Sequence, residues 1–76
     1  MINEKWMVYT KNDMYVRTDI NLLCKLESEL REEQVFFRTI YYVDNKPMKY
    51  DVNTGLTEMT YEEKKSKIEE VYNYEQ

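Results

Sequence analysis

The sequence predicts a small α+β domain of ββαββα order, an antiparallel sheet of four strands with two helices. Three observations carry this. KWMVYT (5–10) and VFFRTIYYV (35–43) alternate their apolar residues between two faces, the period of a strand. DINLLCKLESELREE (19–33) repeats leucine at helical spacing. TYEEKKSKIEEVYNY (60–74) opens on Thr60 and Glu63, the pair that closes a capping box at a helix start.

The elements follow in order. In the first strand Trp6 and Val8 face one way, Met7 and Tyr9 the other. MYVRT (14–18) is its hairpin partner, with Lys11-Asn12-Asp13 as the turn. Thr18 or Asp19 caps the first helix by accepting hydrogen bonds from free backbone N–H groups. At 100° per residue Ile20, Leu22, Leu23, Leu26 and Leu30 make one broad stripe, with Cys24 semi-buried at its edge. Lys25, Ser28, Glu29 and Glu32 face away.

The next strand places Val35, Phe37, Tyr41 and Val43 on one face and Phe36, Ile40 and Tyr42 on the other. Asp44-Asn45-Lys46-Pro47 is rich in turn formers. A turn there pairs Val43 with Met48, Tyr41 with Tyr50 and Thr39 with Val52. Met48, Tyr50 and Val52 then join the core face beneath the leucine stripe. Gly55, the only glycine, suits a positive φ. The second helix has a thin stripe, Tyr61, Ile68 and Tyr72, with Val71 to the side. It either shares the first helix's face or crosses the other one and hides Phe36 and Tyr42.

Seventy-six residues form a single domain, 1–76. A chain this short buries only about 60–65% of its unfolded surface, so stability rests on good packing or on self-association. Cys24 is alone, which excludes an internal disulfide and fits a reducing compartment. MINEKWMVYT has no long apolar run and is not a signal peptide. No segment approaches the roughly 20 apolar residues of a membrane helix. A soluble cytoplasmic protein with no membrane partner is expected.

The composition excludes several chemistries. There is no histidine to activate Cys24, and Ser28 and Ser66 lie on polar helix faces. One glycine cannot build a phosphate-cradling loop. Asp44 and Asn45 alone do not supply the alternating oxygen ligands of a cation loop. The expectation is a protein that is not an enzyme and takes no cofactor and no metal. Fifteen acidic against eleven basic groups give a net charge of −4. That disfavours direct nucleic-acid binding, which needs clustered Lys and Arg, and favours a basic protein partner. Aromatics make up 14% of the chain, with eight tyrosines. Trp6, Phe37, Tyr41 and Tyr50 serve the core. Tyr9, Phe36, Tyr42, Tyr72 and Tyr74 are candidates for contact, because tyrosine gives large area at low entropic cost.

The acidic groups gather at Glu27, Glu29, Glu32 and Glu33, at Glu62 and Glu63, and at Glu69 and Glu70, with tyrosines beside them. The residues are also skewed towards AT-rich codons: eight tyrosines and five methionines against one glycine, one proline and no alanine. In these traits the chain resembles, as a class, the small acidic phage accessory proteins that inhibit host machinery, anti-CRISPR proteins and other DNA mimics among them. The resemblance implies an inhibitor acting in the host cytoplasm by blocking a basic, nucleic-acid-binding surface of a larger host protein, such as a CRISPR effector or another DNA-acting enzyme. Those eight glutamates with Phe36, Tyr42 and Tyr72 would form the contact. The alternative is a small structural or regulatory homo-oligomer, a homodimer in which the second helix and the Phe36–Tyr42 face bury each other across a twofold axis.

Overall fold

A computed structural model describes residues 2–74. The order is β1 (Glu4–Thr10), β2 (Met14–Arg17), α1 (Ile20–Glu32), β3 (Phe37–Val43), β4 (Lys46–Asp51), β5 (Gly55–Glu58) and α2 (Tyr61–Tyr72). The strands form one antiparallel sheet in the order β2-β1-β3-β4-β5. The α+β class and the single small domain are as the sequence predicts. The fifth strand is additional: GLTE is too short to show a period, and pairing with β4 makes it a strand.

The alternation in β1 and β3 feeds two separate cores, one on each face. Val8 with Trp6, Tyr15, Val35 and Phe37 packs under Leu23, Leu26 and Leu30 of α1. Tyr9, Ile40 and Tyr42 with Met7 and Phe36 pack under Ile68 and Val71 of α2, joined by Met59. The helices therefore lie on opposite faces, and α2 takes the second of its two expected positions. It buries Tyr42 within its own chain, so that face is covered without a second copy.

The helix ends follow their sequence signals. The Asp19 side chain accepts from the N–H groups of Asn21 and Leu22. The Thr60–Glu63 capping box is closed in both directions. The end of α1 is less legible. The N–H of Val35 donates to Leu30 O (2.9 Å) and that of Gln34 to Arg31 O (3.1 Å), with Gln34 at φ 59°. This double closure usually recruits glycine at the left-handed position. Here the contact of Val35 with the Leu30 cluster holds it.

Several expectations are corrected. The β3–β4 turn is two residues long, Asp44 and Asn45, both at positive φ (52° and 68°). Such a turn matches the twist of paired strands, and Asp and Asn tolerate the conformation. Val43 pairs with Lys46 and Tyr41 with Met48, two residues from the expected register. A slip of two keeps every side chain on its face. Even so, Tyr50 and Val52 are not core. They are 75% and 85% exposed, because α1 does not reach them. A helix about 10 Å wide covers two strands, and five strands at about 4.8 Å span roughly twice that. Ile20, Leu22 and Cys24 are likewise exposed, outside the narrower stripe of Leu23, Leu26 and Leu30. In α2 the buried residue is Val71, with Ile68 packed beside it, while Tyr61 and Tyr72 face outward. Gly55 has the expected positive φ, 78°.

Candidate partner-binding surface

The acidic clusters divide into groups already engaged and groups that are not. Glu63 accepts from Lys49 of β4 as well as capping α2. The lysine contact, with the backbone donation from Thr60, holds its carboxyl down at about 2. Glu70 takes the Arg38 guanidinium at 2.9 Å. Glu69 lies 3.9 Å from Lys65. Glu27 accepts from the Thr39 hydroxyl at 2.7 Å, which leans it across the sheet towards β3. These contacts fasten the helices to the sheet or to themselves. Among the described residues no ion pair or hydrogen bond engages the side chains of Glu29, Glu32, Glu33 or Glu62.

The first three stand on α1, and the helix concentrates charge. Residues 19–33 hold five acids (Asp19, Glu27, Glu29, Glu32, Glu33) against Lys25 and Arg31. That is −3 of the chain's −4. At 100° per residue Leu22, Glu29 and Glu33 share one flank, opposite Glu27. Since Glu27 points to β3, this flank looks out past β2, the edge of the sheet. Leu22 is 54% exposed on the same flank, two turns before Glu29, with Lys25 one turn from it.

The aromatic candidates fare differently. Tyr42 is 4% exposed, and its hydroxyl lies 2.7 Å from that of Tyr9, itself buried. The cations of Lys64 and Lys5 sit 5.2 and 5.8 Å from its ring centre. A partner cannot reach Tyr42, and it is removed from the contact set, as is Tyr9. Phe36 is half-buried. It stacks on Tyr74 (4.1 Å, 9°), with the Arg38 guanidinium 4.4 Å from its centre. Its ring is largely used within the molecule. Tyr72 remains exposed on α2. What placed Tyr42 wrongly was the neighbouring strand. Lys49 made that face look wet, but its charge is met by Glu63.

A second exposed surface was missed by the sequence reading. It is the part of the α1 face beyond the helix. Trp6 stacks on Tyr41 (5.3 Å, 27°), and Met48, Tyr50 and Leu56 continue the row across β4 and β5. The Tyr41 hydroxyl donates to Glu4 at 2.6 Å, which raises the pKa of the phenol.

No described helix is long and apolar enough to cross a membrane. Among the described residues no three His, Cys, Asp or Glu side chains come together as a metal site. No protein-family model, curated protein or solved structure matches the chain.

Proposed function

We propose that this chain is a non-enzymatic binding protein that blocks a basic, nucleic-acid-binding surface of a larger protein. The inhibitors encoded by phages, acting in the cytoplasm of the host, are the class it fits. The observation that supports this most is the unengaged acidic flank of α1. Glu27, Glu63, Glu69 and Glu70 serve the fold; Glu29, Glu32 and Glu33 have no such duty and sit together on residues 29–33, whereas Glu62 stands alone on α2. Leu22, within the same flank, gives a complex an apolar anchor after encounter. Charge there steers a basic partner over roughly a Debye length, about 8 Å at physiological salt, and the bulk of the domain then excludes nucleic acid. The absence of histidine and the exposed, unassisted Cys24 fit a role without covalent chemistry.

The test starts from a partner retained on the immobilised chain and asks two things of it. It must lose nucleic-acid binding when the chain is added. Its association must also slow as salt rises. Changing Glu29, Glu32 and Glu33 together to Lys alters the net charge by +6, from −4 to +2. All three side chains are exposed, so the fold survives. Stopped-flow association should slow at least tenfold at low salt, with the dissociation rate changed far less. Equal association rates for the variant and the wild type across the salt series refute the charge reading.

A further inference from the structure

The α1 face has a step in it. α1 stands over β2 and β1 and touches β3, while β4 and β5 carry no helix on that side. On the lower level lie Tyr41, Met48, Tyr50 and Leu56, with Trp6 at the foot of α1 and Val52 at the β4–β5 turn. Tyr50 is 75% and Leu56 50% exposed.

We propose that two copies of this chain pack face to face through this uncovered half of the sheet, about a twofold axis. Three features select a second copy. The first is depth. The step is one helix diameter, about 10 Å, and two sheets stack about 10 Å apart. A second sheet therefore settles level with the top of α1. The twofold axis places each α1 alongside the other copy's β5, covering an open edge strand that would otherwise invite pairing. The second is charge. The acidic flank of α1 points the other way, past β2. On the uncovered half Glu4 is bonded to Tyr41, and Lys46 lies 4.0 Å from Glu58. Lys46 and Glu58 offset each other and Glu4 is left as the one uncompensated charge, against −4 for the whole chain, so repulsion between two copies is small there, and a basic partner finds no unengaged carboxylate. The third is area. A large aromatic offers about 150–250 Å², so Tyr50 alone presents more than about 100 Å². With Val52 85% and Leu56 50% exposed, and Trp6, Tyr41 and Met48 partly so, the whole half-face is on the order of 400–500 Å² per copy. A pair then buries about 1,000 Å², below the roughly 1,600 Å² of a standard interface. The dimer is weak and dissociates on dilution.

Sedimentation equilibrium of the full chain from about 10 µM to about 1 mM spans the range in which so small an interface comes apart. The expected mass rises with concentration towards that of two chains. Tyr50→Glu, at an exposed position, sets two new carboxylates close together across the axis and should weaken association at least tenfold. Leu56→Lys should do the same, and Glu29→Lys, on the far flank, should not. Amide chemical shifts of the wild-type chain, followed on dilution, need no variant and should move in β4 and β5 but not in β2 or α2. A monomer mass at every concentration overturns the proposal. So do association unchanged by Tyr50→Glu and dilution shifts confined to β2 or α2. The acidic flank plays no part in this contact, so either reading stands or falls without the other.

Discussion

Replacing Tyr9 by Phe takes away the acceptor that satisfies the Tyr42 hydroxyl. The two oxygens are 2.7 Å apart in the core under α2, and Tyr9 Oη is also 3.6 Å from Met7 Sδ. The arrangement that satisfies both groups runs one way: Tyr42 donates to Tyr9, and Tyr9 donates to the sulfur. The two single substitutions are then unequal. Tyr9→Phe leaves a buried donor on Tyr42 with nothing to bind, which costs about 1–3 kcal/mol. Tyr42→Phe leaves Tyr9 with its sulfur acceptor and costs about 0.5–1.5 kcal/mol, the net worth of one hydrogen bond. The double substitution removes both partners and costs less than the sum. A domain of this size has a total stability of about 4–11 kcal/mol, and each kcal/mol moves its melting temperature by about 4–8 °C. The differences are therefore easy to resolve. The assay is a double-mutant cycle by urea denaturation, followed by circular dichroism at fixed pH and temperature. Strict additivity, or a Tyr42→Phe variant as unstable as Tyr9→Phe, refutes the directed chain of hydroxyls.

Leu26→Ala should cost about 2–5 kcal/mol through lost burial and the cavity it leaves under α1, a fall of about 8–40 °C in melting temperature; a cooperative melt at an unchanged temperature would remove Leu26 from the core. Glu63 is held at about 2 by Lys49 and the Thr60 N–H. Its folded pKa is depressed, so its stabilisation is present above the usual carboxylate range and is lost as pH falls towards 2. Glu63→Gln should therefore be less stable than wild type at pH 7, with the gap closing in acid; a gap independent of pH would show that the ionised carboxylate contributes nothing. Burial, followed by the Tyr42 contact, raises the Tyr9 phenol above its ordinary value of 10.0. A raised folded pKa gives stability that is complete below pH 10 and is lost above it, as the unfolded chain ionises first. Urea midpoints measured from pH 8 to pH 11 should fall at the alkaline end, and fall less in Tyr9→Phe.

The sequence by itself determined the local structure. The period-2 alternation in 5–10 and 35–43, the leucines of α1 and the Thr60–Glu63 box are short-range signals. Each is read from residues a few positions apart, and each produced its element. The parity of β3 and β4 survived a register error because a shift of two returns every side chain to its face. What the sequence could not decide was coverage. Trp6, Tyr41 and Tyr50 alternate as core residues do, yet Tyr50 is exposed, because one helix spans about two strands and the chain spends its second helix on the other face. Tyr42 alternates onto a face that looked mixed, yet it is buried, because Glu63, carried there by α2, meets the charge of Lys49. The same limit holds for the acidic clusters. Glu27, Glu63, Glu69 and Glu70 are indistinguishable in sequence from Glu29, Glu32 and Glu33, and the helix positions alone separate those that fasten the fold from those that face outward. Burial and charge pairing are properties of neighbours distant in the chain. Only the packing of α1 and α2 on opposite sides of the sheet assigns them.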